Sequence, residues 1–344
     1  MSEDAVEEVL TAVRRGGLLE SDRVVVSLLS GGRDSVCLLD VAVTLRGTSG
    51  VRALHVNYGL RPEAEHEEQH CRALCARLGV ELQVVQAAQE ATVGKKNIGK
   101  GGVGNVQAWA RDLRYEAAAR LAVPLDGLIA AGHTATDQVE TILYRLAASP
   151  GRRALLGMAA AEGPLIRPLL GLTREQTAAY CEARDLGWCD DTSNDSDKYV
   201  RGRVRGELVP ALRTLHPAAE ANVLRTAALL REETELLEGL VSAELEGTAS
   251  IALERLAALP TALARMVVVR LAEDAAGGFV PQAGERVGEL LALGARGGRA
   301  ELHIGGLVGA VLERGRLSMV AIEPHYPGLG GGLEHPGRSG PGGH

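Results

Sequence analysis

One stretch constrains this chain more than any other: "RVVVSLLSGGRDSVCLL", residues 23–39. A short, β-branched apolar run stops at Ser-Gly-Gly, and apolar residues at helical spacing follow. The run reads as a buried parallel strand, and the turn feeds directly into a helix. Gly31 and Gly32 let the backbone turn tightly and approach a ligand. The N–H groups opening the next helix favour an anion in the same space. Ser30 and Ser35 add hydroxyls, so the turn reads as a phosphate cradle. It is not of the Walker type, because no Gly-Lys-Ser/Thr closes it. Asp34 is the odd member, since a carboxylate repels phosphate unless a cation lies between them. Mg²⁺ shared by one carboxylate and phosphate oxygens is the usual arrangement.

The pattern then repeats. Strands are expected at 51–60, 81–86 and 127–133, and helices at 6–19, 34–45, 63–80, 105–122 and 136–148. Strands alternating with helices predict a parallel α/β sheet with right-handed crossovers. Ligands of such sheets sit at the carboxyl ends of the strands. "SGGRDS", "HVNYGLR" and "GHTATDQ", which end three of these strands, are therefore expected to converge. From 173 onward the pattern turns helical, with a long amphipathic stretch at 218–246. Residues 250–325 read as a small α+β domain, with helices near 252–274 and 283–293 and a hairpin in 300–322. The division expected is 1–216, a helical linker at 217–249, the domain at 250–325, and a Gly/Pro-rich disordered tail at 326–344.

Of 344 residues, 46% are hydrophobic and 24% charged, which describes a globular chain. No apolar run is long enough to span a bilayer, and "MSEDAVEEVL" lacks a basic-then-apolar leader, so a cytosolic location is expected. The five cysteines are too scattered for a disulfide framework; Cys71 and Cys75 share a helix face without a second pair at metal-ligand spacing. The net charge of −7 disfavours nucleic acid in bulk, but two local basic clusters oppose it. One holds Arg201, Arg203, Arg205 and Arg213, suited to phosphates of RNA or ATP. The other, "GKKNIGKGGVG" at 94–104, suggests a lid or linker. Asp137 and Glu140, at i and i+3 on a helix start, can face one site. They suit an ammonium ligand or proton transfer; helix-end acids opposing the macrodipole are the plainer reading. His133 ends a strand or contacts nucleotide.

"SGGRDS" resembles the loop of the N-type ATP pyrophosphatases, which cleave ATP between its α and β phosphates. "HVNYGLR", "GNVQAWARDLRY", "GHTATDQVET", "RPLLGLTREQ" and "DDTSNDSDKYVRGRVR" follow in the order of the tRNA(Ile)-lysidine synthetase family. The resemblance covers about residues 20–225 and is looser beyond them. It implies a PP-loop α/β domain, a helical linker and a small α+β tRNA-recognition domain. The implied activity joins free L-lysine to the wobble cytidine of a CAU-anticodon tRNA(Ile), through an adenylated cytidine, with ATP and Mg²⁺. A homodimer is left open. The implied ATP-binding set is Ser30, Gly31, Gly32, Arg33, Asp34, Ser35, Asn57 and His133, with Asp34 placing Mg²⁺. Asp34, Arg111, Asp137 and Glu140 take catalytic roles, and Arg201, Arg203 and Arg205 contact tRNA or other phosphates. Tyr58, Gln107, Thr136 and Gly202 depart from the family pattern. A tRNA thiolation enzyme and a degenerate tRNA binder stay open as alternatives.

Overall fold

The computed structural model describes residues 2–60, 62–87, 103–149, 151–189 and 200–322. The chain divides into two compact units, Met1–Arg231 and Glu232–His344.

The first unit is built on a sheet of strands β1 (Val25–Leu28), β2 (Val51–Asn57), β3 (Glu81–Gln86), β4 (Leu128–Ala130), β5 (Ala161–Glu162) and β6 (Leu165–Ile166). Their order is β3-β2-β1-β4-β6-β5, and every pairing is parallel except the hairpin β5-β6. Sequence patterning missed that hairpin: two-residue strands carry no alternation to detect, and β5 is exposed. Alternate residues of each central strand serve opposite faces. Val25, Val51, Ala53, Leu128 and Ala130 pack with α1 (Ser2–Arg15), α2 (Arg33–Arg46) and α3 (Ala64–Leu78). Val26, Leu54, Val56 and Ile129 pack on Leu113, Ala117 and Ala118 of α4 (Val103–Ala122). Burial on both faces is why these strands read as near-continuous apolar runs.

Three further helices of this unit matter. α5 (Ala135–Ala148) opens with a capping box between Thr134 and Asp137. α6 (Arg152–Leu155) is one turn. α7 (Arg174–Ala183) opens with a capping box between Thr173 and Gln176. Such caps satisfy the orphan N–H groups of a first turn, at about 1 kcal/mol each. α7 packs on α1 and α2, which its sequence spacing alone did not indicate. The basic segment forms α8 (Val200–Arg203), a π turn over Val204–Leu208, and α9 (Val209–Leu215). α10 (Ala219–Leu245) follows, close to its expected bounds.

The second unit holds β7 (Ser250–Ala252), α11 (Leu253–Ala258), α12 (Thr261–Ala276), α13 (Val287–Gly294), β8 (Ala300–Gly305), β9 (Val308–Glu313) and β10 (Arg316–Ala321). The expected helix at 252–274 is two helices: Pro260 caps the second and keeps the chain extended between them. The expected hairpin is three strands of a four-stranded antiparallel sheet, ordered β7-β10-β9-β8. Its core is separate, built from residues such as Val267, Leu271, Leu290, Leu312 and Leu317. The tail, and most of the 94–104 cluster, lie outside the described residues.

Candidate active site

The turn after β1 forms as the glycines require. Gly31 adopts φ +89°, a conformation costly for other residues, and Gly32 leads into α2 in an extended conformation. A Cβ on Gly132, just past β4, would sit 2.9 Å from the Asp34 carbonyl oxygen. Glycine there lets the exit of β4 abut the first turn of α2, bringing two of the three predicted strand ends together. At the exit of β2 the buried His55 Nδ1 lies 2.9 Å from the Leu29 carbonyl oxygen. Donation from Nδ1 ties β2 to the start of the loop.

The two loop serines differ from a pair of free hydroxyl donors. Ser35 Oγ donates to the Gly32 carbonyl at 2.7 Å and accepts from the Ser30 N–H at 3.1 Å. Its proton shapes the loop. Ser30 Oγ accepts from the Gly32 N–H at 3.3 Å and stands 3.1 Å from Ser35 Oγ.

Beyond the loop, three carboxylates gather around two arginines. Arg174 Nη2 is 2.9 Å from Asp137 Oδ1; its Nε is 3.6 Å from Asp34 Oδ2, and its Nη1 is 3.9 Å from Glu140 Oε1. Arg205 forms a bidentate pair with Glu140, at 2.7 and 3.0 Å, and lies 3.8 Å from Asp137. Asp137 has two tasks. Its Oδ2 accepts from the Thr134 N–H and hydroxyl, capping α5, while Oδ1 faces Arg174. Asp137 therefore caps α5 and also faces the arginine cluster.

Asp34 Oδ1 accepts from Thr177 Oγ1 at 2.6 Å and from Arg33 Nε at 3.2 Å. No hydrogen bond reaches its Oδ2 among the described residues, and the side chain keeps 18% of its surface exposed. One carboxylate oxygen beside a phosphate cradle fits Mg²⁺, which takes one or two carboxylates and completes its shell with phosphate and water. No cluster of three or more His, Cys, Asp or Glu among the described residues offers an all-protein metal cage.

His133 sits at the exit of β4. Burial, reinforced by Arg167, Arg114 and Arg111, pushes its imidazole down to about 4 against the pull of Asp137. It is neutral at neutral pH, and its buried Nδ1 has no partner among the described residues. The same is true of the buried Nε atoms of Arg114 and Arg167. Together these groups suit an anion. Arg111 itself lies over the Tyr115 ring, 4.9 Å from its centroid.

Other predicted residues lie elsewhere or work differently. Asn57 braces its own turn: its amide donates to Glu68 at 2.8 Å, and its carbonyl oxygen accepts from the Gly59 N–H at 2.9 Å. It makes no bond to the carboxylate cluster. Arg205 is engaged with a carboxylate, not assigned to phosphate by its contacts. Arg203 is exposed and pairs with Glu207, and Arg213 pairs with Glu220. The side chain of Arg201 lies outside the described residues, as does that of Gln107. Two of the unusual positions are accommodated. Tyr58 donates to the Ala110 carbonyl at 3.0 Å and meets Trp109 edge-on. Thr136 Oγ1 accepts the Arg174 N–H at 3.4 Å. Sequence reading missed Arg174, Thr177 and Arg167. "TREQT" was legible as a helix start, but not as the partner of "SGGRDS", because that pairing depends on how α7 packs on α2.

A five-strand parallel array with a glycine turn and an anion-ready helix start at its central strand defines a nucleotide-binding α/β domain. Residues 1–212 match the family described as the PP-loop domain. A tRNA(Ile)-lysidine synthase of Mycolicibacterium paratuberculosis is 36% identical over 245 residues, covering 70% of this chain and 71% of that one. That of Pseudomonas aeruginosa is 36% identical over 223 residues, covering 63% of this chain and 48% of its own length. The chain spans about half the length of the Pseudomonas and Chromobacterium relatives it matches. Among solved structures, the U34-tRNA thiolase NcsA of Methanococcus maripaludis, with its [4Fe-4S] cluster, shares the fold. Its TM-score is 0.56 at 18% identity, over 67% of this chain and 80% of that one. The chain belongs to the PP-loop domain family and, within it, to the tRNA(Ile)-lysidine synthase family.

Proposed function

We propose that this protein uses ATP to join L-lysine to the wobble cytidine of a CAU-anticodon tRNA(Ile). The observation that carries the reading is the juxtaposition of a phosphate-ready loop with the Asp34, Asp137 and Glu140 cluster. The loop at Gly31–Gly32 and the α2 N-terminus hold the β and γ phosphates. Arg111, Arg114 and Arg167, with neutral His133, stabilise negative charge near the α phosphate. The cytosine attacks that phosphorus and pyrophosphate leaves, giving an adenylated base. A single-stranded anticodon base is accessible enough to be presented this way. Mg²⁺ held by Asp34 Oδ2 would neutralise charge on the leaving pyrophosphate. Asp137 and Glu140 then receive an ammonium group of lysine in exchange for Arg174 and accept the proton the attacking amine must lose. AMP departs as the new C–N bond forms. Arg203 and the second unit contribute tRNA contacts.

The thiolation alternative has less support. Cys37, Cys71, Cys75 and Cys181 are buried, and burial raises the thiols of Cys71 and Cys75 far from nucleophilic range. No helix among the described residues is long and apolar enough to cross a membrane.

The test is pyrophosphate release from ATP, with and without a CAU-anticodon tRNA(Ile) transcript and lysine. Release that depends on tRNA, with label from lysine entering the tRNA, is the expected result. Release without lysine incorporation points to another base-activating enzyme. No release with tRNA binding intact points to a binder.

A further inference from the structure

Thr177 is fully buried, at 0% exposure, one turn along α7 from Arg174. A buried hydroxyl in a helix commonly bonds back to a carbonyl of the preceding turn. Here the Arg174 carbonyl is 3.0 Å from Thr177 Oγ1, but Asp34 Oδ1 is nearer, at 2.6 Å, and charged. One proton serves one acceptor, and a carboxylate is the stronger. Arg33 takes the same Oδ1, at 3.2 Å. Both fixed donors therefore converge on one oxygen of Asp34 and leave the other, Oδ2, without a hydrogen bond among the described residues. Among the described residues Arg174 Nε forms an ion pair with Oδ2, at 3.6 Å.

We propose that Thr177 is a positioning residue: its hydroxyl holds the Asp34 carboxylate by Oδ1 so that Oδ2 is available to the divalent cation that accompanies ATP. The proposal rests on the reading of Asp34 as a cation ligand given above. Thr177 does not touch nucleotide or metal. It acts by fixing one torsion of the residue that does, which reduces the ordering cost of binding.

Valine matches threonine in shape without the hydroxyl, and serine keeps the hydroxyl without the methyl. The test titrates Mn²⁺, followed by its electron paramagnetic resonance signal, into the full chain holding α,β-methylene-ATP. The proteins are the parent, Thr177→Val, Thr177→Ser and Asp34→Asn, each first shown to melt cooperatively. Thr177→Val is expected to weaken Mn²⁺ binding about tenfold, the scale of one hydrogen bond to a charged group. Thr177→Ser is expected to stay near the parent value, and metal-free binding of the analogue should be unchanged in both. In turnover, Thr177→Val should need more Mg²⁺ but recover its kcat at saturating Mg²⁺. Unchanged Mn²⁺ binding in Thr177→Val, or an equal loss in Thr177→Ser, overturns the positioning role. If Asp34→Asn binds Mn²⁺ as the parent does, the Asp34 assignment itself fails and the proposal falls with it. Weak binding in Asp34→Asn beside normal binding in Thr177→Val overturns Thr177 alone.

Discussion

Helices α2 and α7 meet through two carboxylates, and the two ends of that contact behave differently. At the far end Asp40 is 1% exposed. Its Oδ2 accepts from the Tyr180 hydroxyl at 2.7 Å and Arg184 Nε at 2.9 Å, and its Oδ1 accepts from Arg184 Nη2 at 3.2 Å. Every oxygen is used. At the near end Asp34 has the same kinds of partner, a hydroxyl and an arginine from α7 with Arg33 beside them, yet one oxygen stays without a hydrogen bond among the described residues and the side chain reaches solvent. Two similar carboxylates on one helix are thus separated by closure. A completed cluster fastens helices together, and an incomplete one next to a phosphate loop leaves work for a ligand.

The contrast can be broken at either end. Asp34→Ala should reduce tRNA-dependent pyrophosphate release by at least about 10³-fold, the scale of losing a metal-placing carboxylate, with little change in melting temperature. Asp40→Ala should do the reverse. It orphans the buried Tyr180 hydroxyl, while the part-exposed Arg184 can turn to water, so a loss of about 3 kcal/mol in urea unfolding is expected with activity kept in the folded fraction. Glu140→Gln sharpens the comparison beside Asp34, at a carboxylate whose two oxygens are both held by Arg205. It should raise the KM for lysine about tenfold and leave pyrophosphate release in place, since only the amine step loses a charge.

The smallest effect concerns a fourth carboxylate, Glu68, which is closed like Asp40 but nearer the surface. Hydrogen bonds from Asn57, with Arg72 and Gln86 assisting against desolvation, hold its carboxyl down to about 2 from the usual 4.5. A depressed folded value means the stabilisation is present above 4.5 and lost as pH falls from there toward 2. Glu68→Gln should therefore flatten the acid limb of stability in that window by lowering the neutral plateau toward the acid value, as measured by thermal melts across pH.

The open end was partly legible in the sequence, and the closed end was not. "SGGRDS" announces itself because a tight turn, an anion-ready helix start and a carboxylate are local features. The parallel sheet was legible for the same reason: a doubly buried strand such as Val25–Leu28 is apolar but for one serine. Asp137 and Glu140 were legible as a pair, since i and i+3 share a face. Their arginines were not. Arg174 and Arg205 lie 37 and 65 residues from the carboxylates they bind most closely. Tyr180 and Arg184 face Asp40 across 140 and 144 residues. Such pairings follow from how α7 and the Val204–Leu208 turn pack against α2 and α5, which no spacing within a single helix encodes.

The most direct measurement compares the two ends in one assay: ATP-dependent incorporation of labelled lysine into the tRNA(Ile) transcript by the parent, Asp34→Asn and Asp40→Asn proteins, normalised to folded protein. The expected result is incorporation by the parent and by Asp40→Asn, and none above background by a fully folded Asp34→Asn. Incorporation by Asp34→Asn at the parent rate, or its loss in a fully folded Asp40→Asn, would contradict the assignment of the open cluster to chemistry and the closed one to stability.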